Sequence, residues 1–298
     1  MIYVDYFIAN PLAFAMVCGI IGLLIGSFLN VVIYRLPVML ERDWHEQCVE
    51  FLEEEAVDKV TLPKKEETQK RFDLISPSSH CPKCNHKIRA WENIPVFSYL
   101  LLGRKCHQCH TPIPFRYPFV ELLTGVLSFV VAWHFGFNEQ AAAALFLTWT
   151  LIALSFIDYD TQLLPDVITI PMVWVGLLLS LGVVYVEPAT SIIGACAGYL
   201  SLWCVFQLFK LITGKEGMGF GDFKLLAVLG AWFGWKMLPV IILLSSFAGA
   251  VIGISLILLK QQNKDKPIPF GPYLAIAGWI AMLYGDELID YYVHFAVI

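Results

Sequence analysis

No lysine or arginine occurs before Arg35. The basic start of a secretory signal is therefore missing, and no small-residue cleavage site follows the first apolar run, so that segment is expected to stay in the mature protein. Charge is scarce throughout: Asp, Glu, Lys and Arg make up 15% of the chain, and the formal net charge is −5. A phosphate binder needs a basic face, so nucleic acid is excluded as the main partner. No internal repeat stands out. No glycine-rich fingerprint follows a strand, so spacing alone locates no cofactor pocket.

What is present is apolar. Hydrophobic residues make up 58% of the 298, with a mean hydropathy of +0.67, which excludes an ordinary soluble domain. The apolar residues fall in blocks near bilayer length, which makes membrane lipid a partner. Leu12 to Tyr34 is twenty-three uncharged residues. After a polar stretch the runs resume at Pro118–Phe135, Ala141–Ile157, Val167–Val186, Ser191–Ile212, Phe223–Trp235, Leu238–Leu259 and Tyr273–Tyr284. Two of these are short for spanning. The fold expected is an all-α polytopic membrane protein with about 6–8 transmembrane helices. It divides into a first transmembrane helix (1–34), a cytoplasmic domain (35–116) and a second membrane domain (117–298).

The basic residues set the orientation. Residues 35–116 hold thirteen of the twenty Lys and Arg, and the Lys210–Lys224 and Lys260–Lys266 linkers hold three each. With the amino terminus outside, only Lys236 falls on the outer side. The outer loops carry acids instead: Asp5, Glu139, Glu187, Asp286, Glu287 and Asp290.

Within 35–116, residues 38–73 read as a charged surface helix and linker, with Glu53 to Glu55 a solvated run. Residues 75–116 differ. Cys81-Pro-Lys-Cys84 and Cys106-His-Gln-Cys109 are two Cys-x-x-Cys knuckles, twenty-one residues apart. Two residues between thiolates let a tight turn place both sulfurs on one metal, and two such turns complete a closed tetrahedral site, so Cys81, Cys84, Cys106 and Cys109 are expected to hold structural Zn2+. Asn85 and Gln108 supply turn chemistry. His80, His86, His107 and His110 read as surface residues, since the thiolates fill the metal sphere. Cys18, Cys196 and Cys204 read as small buried hydrophobes in apolar helices, and Cys48 has no assigned role.

Acids at the ends of apolar runs are the other candidates. Asp222 follows Gly219-Phe-Gly221, and Asp158, Asp160 and Asp166 follow Leu151–Ile157. A carboxylate there is costly and is a functional candidate by default. The two glycines would permit unusual dihedrals or a close approach. Two aspartates from different helices can share one proton around a water and hydrolyse a peptide bond. The plainer alternative is helix capping by Asp222 ahead of Phe223, and by Asp166. Asp158 and Asp160 point about 200° apart on a helix, so only one faces the partner; the geometry does not choose between them.

Several motifs together resemble the bacterial type IV prepilin peptidases. They are Gly26–Pro37, the paired knuckles, Arg116–Glu121, Phe156–Asp166, Glu216–Lys224 and Pro267–Tyr273. The resemblance implies a membrane aspartyl enzyme of the GxGD type in the bacterial inner membrane. It would cut the basic leader from prepilins or pseudopilins at the cytoplasmic face, then N-methylate the new amino terminus with S-adenosylmethionine. Its catalytic aspartates correspond to Asp158 and Asp222. Gly103 stands near a glycine tied to methyl transfer, but Leu102-Gly-Arg-Lys105 departs from the usual order there. Arg116 and Glu121 are further methyl-donor candidates, with a purely structural role as the alternative; the same alternative holds for Asn30 and Arg35. Two other functions remain open from the residues: a proton-coupled transporter using the same carboxylates, and a zinc-ribbon adaptor without chemistry.

Overall fold

The computed structural model describes residues 2–54, 71–258 and 269–296. Their helices are α1 (Ile2–Ala9), α2 (Pro11–Glu54), α3 (Phe97–Leu101), α4 (Arg116–Phe135), α5 (Glu139–Thr161), α6 (Asp166–Leu181), α7 (Pro188–Thr213), α8 (Phe220–Phe233), α9 (Leu238–Leu258) and α10 (Gly271–Ala296). Among the described residues β-structure is limited to two isolated bridges. Among the described residues five helical segments are long and apolar enough to cross a membrane: Pro11–Leu52, Arg116–Phe135, Glu139–Thr161, Pro188–Thr213 and Trp235–Ser255. Helix α6 is shorter. With α8 and α10 these account for all eight apolar runs.

The first run does not end where the sequence suggested. Helix α2 continues past Tyr34 and through Pro37 to Glu54. Beyond the proline, Met39-Leu-Glu-Arg42 are good helix formers that propagate it into the charged stretch. The expected linker at 55–70, the acid run beyond residue 54, and the Lys260–Lys266 linker lie outside the described residues. The last run ends at a real break, since Tyr284 (φ −130, ψ 21) interrupts the helical dihedrals of α10.

The chain divides into two compact units: residues 1–18 with 127–298, and residues 19–126. In the first, α8 is the centre. From Phe223 to Phe233 almost every side chain is buried, and a helix apolar all round belongs inside a bundle. Helix α7 makes the most extensive contact with α8, and α6 and α10 also pack on it. Glycine sets the α7–α8 distance. A Cβ built on Gly194 would lie 2.1 Å from the Gly230 carbonyl oxygen, and one built on Gly230 would lie 2.1 Å from that of Gly194. Hydrogen bonds fix the rotation of α8: Ser191 Oγ donates to the Ala231 carbonyl (2.5 Å), and Trp232 Nε1 donates to that of Met172 in α6 (2.9 Å). Helix α10 packs on α5, where Trp279 Nε1 donates to Thr148 Oγ1 (3.1 Å).

In the second unit, polar side chains of α2 anchor backbone distant in sequence. Arg35 donates to the carbonyls of Asp73 (2.8 Å) and Pro77 (2.6 Å). Asn30 donates to the Tyr117 carbonyl (3.1 Å) at the start of α4. Both residues hold backbone, in keeping with the structural alternative.

Replacing Gly230 by leucine forces α7 and α8 apart. It is expected to cost at least about 2 kcal/mol, read as a lower Tm in detergent. At Gly219 an added Cβ meets nothing within 4 Å, so Gly219→Ala is expected to cost no more than about 1 kcal/mol.

Candidate active site and metal centre

Asp158 sits in the last turn of α5. That helix starts at Asn138, whose side chain accepts from the Ala141 amide (2.7 Å), and ends at Gln162 in the left-handed region, whose amide donates to the Asp158 carbonyl (2.9 Å). The Asp158 carboxylate turns inward and is 5% exposed. Asp160, two residues on, is exposed, and so is Asp166.

Asp222 is not the cap of its helix. Helix α8 starts at Phe220 with Gly219 as cap, so Asp222 lies within the first turn, where the positive end of the helix favours a carboxylate. It is 8% exposed. Asp166 likewise lies inside the first turn of α6, after Pro165. It pairs with Lys224 Nζ (2.5 Å), tying the starts of α6 and α8 together. The glycines before Asp222 divide in role. Neither has a positive φ. A Cβ on Gly221 would lie 2.7 Å from Leu164 Cβ, so close approach is needed at Gly221 and not at Gly219. Phe206, Phe220 and Phe223 pack against one another at centroid distances of 5.3 to 5.7 Å, and hold the start of α8 against α7.

A third segment completes the arrangement. The Gly271 amide, at the start of α10, donates to Asp158 Oδ2 (2.9 Å) in a buried hydrogen bond. A Cβ there would lie 2.7 Å from the same oxygen. Leu164 Cδ1 lies 3.2 Å from the Cβ position of Gly221 and 3.3 Å from that of Gly271. The last turn of α5, the first turn of α8 and the first residue of α10 thus converge around one leucine. Asp158 and Asp222 are within electrostatic reach of each other. Among the described residues of this unit they are the buried acids. Sequence reasoning held Gly271 only within the Pro267–Tyr273 motif and gave it no role, because it acts through its backbone.

In the other unit the four knuckle sulfurs lie within 4.8 Å of one another. Cys81 Sγ is 3.7 Å from Cys109 Sγ, and Cys84 Sγ is 3.9 Å from Cys106 Sγ. A tetrahedron of zinc–sulfur bonds of about 2.3 Å has edges of about 3.8 Å, so the four residues fit a closed four-thiolate metal site. The two knuckles share one hydrogen-bond pattern. The Asn85 and His110 amides donate to the Cys81 and Cys106 carbonyls (2.9 and 3.0 Å), and the Cys81 and Cys106 amides donate to the carbonyls of His86 and Thr111 (both 2.9 Å). Asn85 (φ 56) and His110 (φ 53) take the left-handed position that glycine would favour, so the second turn rests on His110 and not on Gln108. Hydrogen-bond donors favour the thiolate at two of the four sulfurs. The amides of Cys84 and then Lys83 hold the Cys81 thiol below its ordinary value, and the Thr111 hydroxyl, followed by its amide, brings Cys109 to about 6. His86 Nε2 contacts Glu92 Oε2 (3.1 Å) and is no ligand.

Of the methyl-donor candidates, Glu121 is buried. Its Oε2 accepts from the Val96 amide (2.8 Å), and the Ser27 hydroxyl bonds the same carboxylate. Gly103 (φ 57) lies in an open turn with nothing within 4 Å of a Cβ position, and Arg116 opens α4. Cys18 is buried as expected, but Cys196 and Cys204 are exposed on α7. An apolar membrane helix has a lipid-facing side as well as a protein-facing one, and apolar surroundings in the sequence do not tell them apart.

The family model described as the Bacterial Peptidase A24 N-terminal domain matches residues 20–135, and that of the Type IV leader peptidase family matches residues 145–254. The chain is 53% identical to proteins named prepilin leader peptidase/N-methyltransferase from Stutzerimonas stutzeri and Pseudomonas aeruginosa, over 98% of both chains in each case. It is 45% identical to one of the same name from Legionella pneumophila, over 93% of this chain and 94% of that one. No solved structure matches. With both family models matched in order and identity extending over nearly the whole length, the chain belongs to the type IV leader peptidase family.

Proposed function

We propose that this protein removes the basic leader peptide from type IV prepilins and pseudopilins, then N-methylates the new amino-terminal residue with S-adenosylmethionine. The observation that carries the reading is the convergence of two buried aspartates from different helices, Asp158 and Asp222. One carboxylate takes a proton from the attacking water while the other, protonated, donates to the scissile carbonyl oxygen. The Gly271 amide fixes the direction of the Asp158 oxygen it touches. Neither metal nor side-chain nucleophile is needed for this step.

The site faces the cytoplasm of a bacterial inner-membrane protein whose amino terminus lies outside, an orientation supported by the distribution of lysine and arginine. A basic leader then remains in the cytoplasm while the following apolar helix lies in the bilayer, and the scissile bond falls at the interface between them. The domain division is that of the charge pattern: 1–34, 35–116 and 117–298. Cys81, Cys84, Cys106 and Cys109 hold Zn2+ in a closed site that stabilises the fold of the ribbon. Gly103, Arg116 and Glu121 stand as the candidate methyl-donor contacts, with Gly103 favoured by its open backbone and Glu121 disfavoured by the bonds it already makes to Val96 and Ser27.

Mass spectrometry of a prepilin peptide incubated with purified protein, with and without S-adenosylmethionine, reads both activities together. Leader loss followed by the gain of one methyl is expected; proton-coupled flux in proteoliposomes without cleavage would sink the proposal. Asp158→Asn and Asp222→Asn are each expected to lower cleavage on the order of a thousandfold or more while the protein still inserts, and full cleavage by either variant would refute the assignment. Gly271→Ala pushes against Asp158 Oδ2 and is expected to lower cleavage about a hundredfold, leaving methylation of an already cleaved peptide intact. Cys84→Ser or Cys106→Ser is expected to lower the bound zinc measured by elemental analysis and to harm methylation more than cleavage. Unchanged zinc content would rule out the metal site.

A further inference from the structure

Helix α3 is too short to be stable alone, and it presents its apolar side outward. Phe97, Leu100 and Leu101 are 63%, 62% and 77% exposed, while Ser98 is buried. The three apolar residues stand at i, i+3 and i+4 and therefore share one face. The helix is held at both ends. At its start Val96 has φ 62 and ψ −47, and the Phe97 amide donates back to the Pro95 carbonyl (2.6 Å), which makes a γ-turn of the disfavoured hand. At its end Gly103 and Arg104 are both left-handed, and the Arg104 amide reaches the Tyr99 carbonyl (2.9 Å). A β-branched residue in such a turn persists only where its surroundings over-determine it. Here the determinant is Glu121, which accepts from the Val96 amide (2.8 Å).

That hydrogen bond also sets a depth. Glu121 belongs to α4, one of the helices able to cross a membrane, and lies five residues beyond Arg116, or about 7.5 Å along the axis. A helix lying in the interface buries its apolar face roughly 5–10 Å into the boundary between headgroups and acyl chains. With Arg116 taken at the headgroup level, the start of α3 is tied to α4 at interfacial depth. Exposed Phe115 and Tyr117 stand at the mouth of α4, as aromatic residues do at a membrane boundary. Exposed Arg104 and Lys105 follow α3 directly and suit anionic headgroups.

We propose that the Phe97, Leu100 and Leu101 face of α3 is a membrane-docking surface, seated in the lipid interface beside α4 and clamped there by the Glu121–Val96 hydrogen bond. The segment ahead of the second knuckle is then a lipid-anchored strut and not a free loop. This reading stands whether or not the chain is a peptidase, since it needs only that α4 spans the bilayer.

The test places the photoreactive residue p-benzoylphenylalanine at Leu101 in the full chain, reconstituted in vesicles of phosphatidylethanolamine and phosphatidylglycerol. It exchanges one exposed apolar side chain for another. The same probe at Leu122, exposed on α4, serves as the lipid-facing reference. On illumination, protein labelled at either position is expected to gain the mass of one phospholipid. A lipid adduct at Leu122 with none at Leu101 overturns the proposal. So does an adduct at Leu101 that shifts from lipid to an added prepilin peptide, which would make the face a substrate dock.

Discussion

A carboxylate buried in a helix bundle keeps its place only if the protein supplies a donor, and Asp158 receives one from the Gly271 amide. That amide belongs to the first residue of α10, where the intrahelical ladder leaves N–H groups unused. One hydrogen bond therefore satisfies both a helix end and a buried acid. The contact can form only if α10 begins beside the last turn of α5, and only if residue 271 has no side chain. Because α10 also packs on α8, the same placement carries the start of α8, and Asp222 with it, toward Asp158. The candidate site follows from where α10 starts.

Helix α8 imposes the second constraint. Fourteen residues reach about 21 Å, against a hydrocarbon core of about 30 Å. A helix this short in a bilayer leaves an end inside it, where exposed backbone is tolerated only under cover of protein. The cover comes from α7, drawn to backbone contact at Gly194 and Gly230, and from α6 and α10. Such enclosure is why a helix with almost no polar side chain can carry an aspartate in its first turn. The short, largely apolar run read from the sequence and the buried acid at its start are two sides of one arrangement.

The sequence displayed whatever depends on side-chain type in a regular pattern. The eight apolar runs were legible because a bilayer demands a fixed length, and the knuckles because thiolates must be spaced for one metal. Asp158 and Asp160 could be set on opposite sides of a helix, but which side faces inward depends on neighbours that α5 alone does not encode; burial distinguishes them at once. The continuation of α2 past Pro37 was hidden because a proline after a long apolar run reads as a stop. Gly271 and the Val96 turn were least legible, since both act through main-chain N–H groups.

Burial alone does not separate an acid that does chemistry from one that holds the fold. Asp158 and Glu121 are both nearly inaccessible, and each accepts a hydrogen bond from the backbone amide of a residue distant in sequence. Their remaining partners differ. Glu121 is bonded by the Ser27 hydroxyl, and its amide donor sits in a strained turn that needs an anchor. Such a carboxylate ties the Val96 turn and Ser27 of α2 to α4. The Asp158 carboxylate is within electrostatic reach of that of Asp222. Two like charges in a poorly solvated site are destabilising unless a proton is shared between them. An anchoring acid is explained by its donors, whereas the pairing of Asp158 with Asp222 is the arrangement that a proton-moving reaction would require.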